Sequence, residues 1–285
     1  MRFPWQKKIN HFHSTTSEKK VTALSCKVYS VSETGPTRTS NEDSIIWFHP
    51  GNNKQVLFTM VADGMGGHNA GEVASSLACS AAEHFIQSGI MRHNIPAMLH
   101  ELFQQMHSTI VNAANSNSNY YGMGTTGAAV FVEQDQLFWG HVGDSRIYRY
   151  HKSHLQQLST DQTLVNQMMS EGKLKPGDAE TGTMKHLLLQ ALGTAEKIKP
   201  EIAGPITIQP GDYYFLCSDG VYDVFSDDEI KALLCMERPA LAMECIKTLC
   251  YERNAQDNFS VIIVEVTTQQ VLPANSITRE QNVML

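Results

Sequence analysis

The sequence predicts an α+β domain, with antiparallel sheets and helices packed outside them. Strand-like segments come in runs, helix-like segments come in pairs, and the strict βαβ alternation of a doubly wound parallel sheet is missing. In chain order, Val21–Val31 and Ser44–Phe48 carry strand patterns, and Gln55–Ala62 is a short apolar run suited to a buried strand. Two helices follow. The first has Val73, Leu77, Ala81 and Phe85 on one stripe, flanked by Ala74, Ala78, Ala82 and Ile86. The second repeats Ile95, Met98, Leu99, Leu102, Phe103, Met106 and Ile110 at helical spacing. Both stripes are core-facing. Asn115 to Asn119 is a polar loop.

Thr125–Val132, Gln136–Val142 and Ile147–Tyr150 then read as a β-meander, joined by Glu133-Gln134-Asp135 and by a Gly-Asp-Ser turn. Residues 163–190 mix helical spacing with Gly172, Pro176, Gly177 and Gly182, the signature of a partly irregular loop. Ile202–Ile208, Tyr213–Cys217 and Phe259–Val266 complete the strands, and 227–235 and 238–253 supply two more helices. There is no internal repeat.

With 285 residues, 42% of them hydrophobic, the chain has enough apolar content for a sizeable core. The net charge of −7 is unevenly spread. Residues 1–20 carry +4 and read as a disordered leader, with a membrane-surface or docking role as the alternative. Residues 267–285 are neutral overall and read as a polar tail, which leaves −11 on the body from 21 to 266. So acidic a body excludes a broad nucleic-acid-binding face, which needs a basic stripe to displace counterions. No apolar run reaches the ~18 residues of a membrane span. No apolar segment follows the basic N-terminus as in a signal peptide, and the six cysteines form no C-x-x-C pair, so a cytosolic, monomeric protein with buried thiols is expected.

Several catalytic patterns fail. Gly122-Met-Gly-Thr-Thr-Gly127 matches G-x-G-x-x-G but opens a strand, the wrong context for a dinucleotide. P-loop, H-E-x-x-H and G-x-S-x-G motifs are missing. A cysteine phosphatase needs Arg six residues after its Cys. Here those positions hold Ser32, Phe85, Asp223, Leu241, Tyr251 and Gln256.

What remains is a set of acidic residues at strand ends, each beside a small residue. They lie in Arg38-Thr-Ser-Asn-Glu-Asp43, Val61-Ala-Asp-Gly-Met-Gly-Gly-His68, Gly143-Asp-Ser-Arg146, Leu216-Cys-Ser-Asp-Gly-Val-Tyr-Asp223 and Asp257-Asn-Phe-Ser260. Singly, each is an ordinary turn or cap. Jointly they form a set of hard oxygen donors that would repel one another unless a cation sat among them, which suits Mg²⁺ or Mn²⁺ rather than Zn²⁺.

From about residue 22 to 266 the sequence resembles the protein phosphatase 2C family of metal-dependent serine/threonine phosphatases in its bacterial style. The resemblance rests on R-T-S-N-E-D (38–43), D-G-M-G-G-H-N-A-G-E (63–72), G-T-T (124–126), G-D-S-R (143–146), A-L-G (191–193), C-S-D-G-V-Y-D (217–223) and D-N-F-S (257–260), in the family's order. It implies a four-layer αββα sandwich, two antiparallel sheets flanked by helix pairs, with a flap at about 164–190. It implies that Asp63 bridges two Mn²⁺ or Mg²⁺ ions and that the Gly64 carbonyl contacts the second. Asp219 and Asp257 would complete the first ion's ligands, while Glu42 would act at the second with Asp43 in support. Asp144, Asp219 and Asp223 match a weaker third-metal site, and Arg38 matches the arginine that holds the substrate phosphate. The expected reaction is attack on phosphoserine or phosphothreonine by a metal-activated water, without a covalent intermediate.

Two departures stand out. Met65 occupies the place where animal-type members have histidine, leaving His68 or a metal-bound water as the general acid, with a residue bonding locally as the other reading of His68. Ser159-Thr-Asp-Gln-Thr163 carries Gln162 where the family usually has His. The expected partners are phosphoproteins and a Ser/Thr kinase of the same pathway. The alternatives are a phosphatase-fold binding module with little turnover and another two-metal phosphoester hydrolase.

Overall fold

The structure, a computed structural model, describes residues 21–66, 70–89, 94–175, 186–194 and 196–271. Among the described residues, eleven strands form two antiparallel sheets. They are β1 (Val21–Glu33), β2 (Asp43–Phe48), β3 (Val56–Met65), β4 (Gly124–Thr125), β5 (Gly127–Glu133), β6 (Gln136–Val142), β7 (Arg146–His151), β8 (His154–Gln157), β9 (Glu201–Thr207), β10 (Tyr213–Cys217) and β11 (Phe259–Val271). One sheet runs β1-β11-β10-β7-β8 and the other β2-β3-β5-β6-β9, with the short β4 paired to β3. The helices are α1 (Ala70–Gln87), α2 (Ile95–Ser116), α3 (Leu164–Ser170), α4 (Asp219–Tyr222), α5 (Asp227–Leu234) and α6 (Pro239–Glu252).

The apolar content divides into three cores, and three cores between four layers make an αββα sandwich. Phe58, Met60, Ala62, Ala129 and Phe131 face α1 and α2. Their neighbours Leu57, Val61, Ala128, Val130 and Val132 face the second sheet, where they meet Tyr214, Leu216, Ile262 and Val264. On the far side of that sheet, Phe215, Phe259, Val261 and Ile263 face α5 and α6. Strands buried on both faces read as continuous apolar runs, and β3, β5, β10 and β11 do so for that reason.

The structure departs from the sequence reading at several points. The expected meander breaks after β6, because β7 pairs with β10 in the opposite sheet. The chain crosses over at Gly143, whose φ of +103° only glycine adopts readily; a Cβ there would stand 2.7 Å from the Thr126 side chain. In α1 the deeply buried stripe is Ala74, Ala78, Ala82 and Ile86, while Val73, Leu77 and Phe85 sit at the core's margin. Small residues on the inner face let α1 lie close to β3. Helix α2 runs on to Ser116 and a single 3₁₀ turn follows at Ser118–Tyr120, in place of the polar loop. Finally, β11 extends to Val271, pairing 267–271 with 21–25, so the first five residues read as tail are strand. The leader and residues 272–285 lie outside the described residues.

Candidate metal centre

Both sheets and the crossing between them contribute acidic residues to one end of the sandwich. In the β2–β3 ladder Asp43 lies opposite Asp63. The backbone of Asp63 is pinned on both sides: its N–H donates to Thr126 Oγ1 at 2.9 Å, and its carbonyl accepts from Thr126 N–H at 2.8 Å and Thr125 Oγ1 at 2.9 Å. Beside it, Gly64 N–H donates to the Glu42 carbonyl. A Cβ on Gly64 would fall 2.4 Å from that oxygen and 2.2 Å from the carbonyl oxygen of Gly71, so a side chain is excluded where β2, β3 and the start of α1 converge.

From the second sheet, Ser218 and Asp219 follow β10, and Asp257 and Asn258 precede β11. Ser218 Oγ donates to Asp43 Oδ2 at 2.7 Å and accepts from Ser260 N–H at 3.0 Å, linking the sheets. Asn258 clamps the Arg38–Asp43 loop. Its Nδ2 donates to the carbonyls of Thr34 and Ser40, both at 2.8 Å, and its Oδ1 accepts from Glu42 N–H at 2.9 Å. Asp144 sits buried in the crossing from β6 to β7. Behind it, Arg146 forks onto Asp161, donates to Tyr148 OH and lies 3.8 Å over the Tyr222 ring.

Arg38, Glu42, Asp63, Gly64, Asp144, Asp219 and Asp257 all line one cavity of about 550 Å³. Asp223 lines an adjoining cleft of about 750 Å³ that shares Arg38, His186, Asp219 and Asp257 with the first. Asp43 lines neither and stands behind Asp63, bonded to Ser218. His68 lies outside the described residues, as do residues 176–185 of the flap.

The electrostatics are those of crowded carboxylates. Burial, followed by the charges of Asp43, Asp219, Asp144 and Asp257, holds the Asp63 carboxyl well above the usual range. Burial and Asp219 push Asp144 up to about 7, and burial also lifts Asp43 to about 7 against the pull of Ser218 and Ser260. Glu42 and Asp257 are raised as well, chiefly by burial. Arg38 offsets part of this through its 2.5 Å contact with Asp257. One oxygen of Asp219, Oδ1, is buried without a hydrogen-bond partner among the described residues. A set of all-oxygen donors, mutually repelling and with an orphaned buried oxygen, fits hard divalent cations.

A residue the sequence reading missed stands in the middle of this. His186 places Nδ1 3.3 Å from Asp219 Oδ2 and Nε2 3.3 Å from Asp223 Oδ2, and its ring, Asp144 and Asp219 can reach a common ion. Asn258 and Ser218 were also overlooked as supports, although both lie inside quoted motifs. Gln162 takes a defined place: its Oε1 accepts from Gly143 N–H at 3.0 Å, fixing the crossing next to Asp144.

A family model described as "Protein phosphatase 2C" matches residues 37–244. The chain belongs to that family. Among its relatives, a putative protein phosphatase 2C-type of Streptococcus pyogenes is 31% identical over 210 residues, covering 73% of this chain and 84% of the relative. The serine/threonine phosphatase stp of Listeria monocytogenes is 32% identical over 235 residues, or 81% and 92%. Among solved structures, the Mycobacterium tuberculosis serine/threonine phosphatase PstP/Ppp superposes with a TM-score of 0.77 at 30% identity, over 85% of this chain and 99% of that one. The catalytic domain of PstP in complex with two manganese ions gives 0.74 at 31% identity, over 86% and 99%. The two-sheet architecture of this protein phosphatase 2C member is thus shared with phosphatases whose structures are known.

Proposed function

We propose that this protein phosphatase 2C member is a metal-dependent protein-serine/threonine phosphatase that hydrolyses phosphoserine and phosphothreonine monoesters. The observation that carries this reading is the convergence of Glu42, Asp63, Asp144, Asp219 and Asp257 on one cavity with Arg38 in its wall. The names of the relatives, serine/threonine phosphatases in Listeria and Mycobacterium, support it.

In this reading Asp63, Asp219 and Asp257 would hold a first Mn²⁺ or Mg²⁺. Asp63, the Gly64 carbonyl and Glu42 would hold a second, with Asp43 as the buried support behind them. Asp144, Asp219 and Asp223 offer a weaker third position. The chemistry such ions supply is a water made nucleophilic near neutral pH and a sink for charge on phosphoryl oxygens. The chain's own residues do the rest. The pinned Asp63 backbone and the Asn258 clamp fix the carboxylates in space before substrate arrives. Arg38 presents a planar fork of donors at the cavity wall, suited to two phosphoryl oxygens. His68 is the candidate proton donor to the leaving oxygen; His68→Ala would then slow a phosphopeptide more than an aryl phosphate, whose phenolate leaves unaided. The substrates are phosphoproteins, and a Ser/Thr kinase of the same pathway makes them.

The test is phosphate release from a phosphothreonine peptide with chelator, Mg²⁺ or Mn²⁺, for the wild type and Asp219→Asn. Metal-dependent release lost in the variant is expected. Stoichiometric peptide binding without release under any ion would replace the enzyme with a binding module, and faster release from phosphodiesters than monoesters would make it a different hydrolase.

A further inference from the structure

Three consecutive leucines, between His186 and Gln190, also contribute to the lining of the carboxylate cavity. Leu187, Leu188 and Leu189 line the same cavity as Asp63, Asp144 and Asp219. Leu187 is 50% exposed and Leu189 45%, while Leu192, three residues further on, is wholly buried. Exposed leucines in a loose segment would mean little, but this segment is strapped down. Leu164 N–H donates to the Leu187 carbonyl and Leu189 N–H to the Gln162 carbonyl, both at 2.8 Å, and Leu192 exchanges bonds with Thr125 in both directions. Leu188 pairs with Thr163 in an antiparallel bridge, and the exposed Leu187 and Leu189 flank it on either side.

Leu187 and Leu189 leave apolar surface in water beside a charged pocket, and a chain bound there would cover it. The geometry also says what that chain would be. The cavity floor is the phosphoryl site, so whatever delivers a phosphate must carry its own chain past these leucines. The adjoining cleft continues from Arg38, His186, Asp219 and Asp257 and is bordered by exposed Arg253, Asn254 and Gln256. Arg253 is already paired with Glu229 at 2.6 Å. The lining of the site thus combines the three leucines with polar groups that continue into the adjoining cleft.

We propose that Leu187 and Leu189 form a specificity wall that selects phosphopeptides with a large apolar side chain on one side of the phosphorylated residue. This rests on the phosphatase reading above and adds the substrate class to it. A buried leucine side chain is worth about 1.5–3 kcal/mol, so an apolar residue at that flank should raise kcat/KM about tenfold or more over aspartate.

The experiment scans phosphothreonine peptides, substituting Leu, Ser or Asp singly at each of the three positions on either side, with the full-length wild type and a Leu187→Ser/Leu189→Ser double variant. Both residues are about half exposed, and an unchanged melting temperature shows that the variant folds. In the wild type, one flank should favour Leu over Asp by about tenfold or more, and in the variant that ratio should drop below about threefold. Ratios near one at every wild-type position, or a tenfold preference that survives in the variant, would overturn the wall. A second copy of the chain on this face would appear as a dimer that the double variant dissolves, without flank preference, and would overturn it too. Wild-type turnover of p-nitrophenyl phosphate with Mn²⁺ keeps the two readings apart. If that fails, the phosphatase reading falls, and the same ratios taken as peptide Kd by fluorescence anisotropy still decide the wall.

Discussion

Asp43 and Asp63 are direct partners in the β2–β3 ladder, one buried against Ser218 and the other opening onto the cavity. Two carboxylates side by side at the end of a sandwich favour a cation and disfavour the metal-free fold. Asp43→Asn keeps an oxygen for Ser218 while removing one charge. The metal-free variant should gain about 1 kcal/mol, a rise of about 2–4 °C in melting temperature, and should bind Mn²⁺ more weakly. Thermal melts with chelator and a Mn²⁺ titration by calorimetry check both signs. A less stable metal-free variant would show that the Asp43 charge is not a burden on the fold.

Removing divalent ions should destabilise the wild type by mass action, about 2.7 kcal/mol relative to ion at 100 times its dissociation constant. Asp63→Asn and Asp219→Asn should lose most of this difference together with turnover, while far-ultraviolet circular dichroism stays native. The comparison is melting temperature with Mn²⁺ against chelator, run for all three proteins. A full metal-dependent shift in either variant would remove that residue from the ligand set.

Gly64→Ala tests the convergence of β2, β3 and α1. A Cβ 2.2 Å from one carbonyl oxygen and 2.4 Å from another must move backbone, because both neighbours are main chain. Overpacking of this kind costs about 1–3 kcal/mol, and the movement falls on Glu42 and Asp63. Urea unfolding should show the loss of stability, and turnover should fall by more than that loss explains.

Asn258→Ala removes three hydrogen bonds from the loop that carries Arg38 and Glu42. Buried groups left unpaired cost about 1–3 kcal/mol each, less where water reaches them. The expected kinetic signature is a raised KM with Arg38 misplaced, beside the drop in stability. A steady-state titration with phosphopeptide separates it from simple unfolding, which lowers kcat at constant KM by removing active enzyme.

Much of this molecule was legible in its sequence, for physical reasons. Helix α2 declared itself through an uninterrupted apolar stripe, and β6 and β10 fall on their expected residues. Sheet membership was hidden. A strand buried on both faces has the same apolar run whichever sheet it joins, so nothing in Ile147–Tyr150 says that it pairs with β10 rather than β6. The hint lay in Gly143, a residue tolerant of the positive φ that turns the chain across. In the site, the acidic residues announced themselves by their glycine and serine neighbours. His186 did not, because it lies 33 residues from Asp219 in a stretch whose glycines and proline read only as loop. Asn258 escaped because an Asn after an Asp looks like turn chemistry, whereas its three bonds go to residues more than 200 positions away.

The Ser218–Asp43 bond and the carboxylates around it sit where the two sheets face each other at one end of the sandwich. Without cations, the crowded charges act there as a wedge between the sheets. If the proposed ions bind, the same oxygens would act as a rivet that fastens one sheet to the other. Loss of ions should therefore unzip the sandwich from this end, and amide exchange should quicken first at β4, α4 and the start of β11 while the middle of β5 and β10 stays protected.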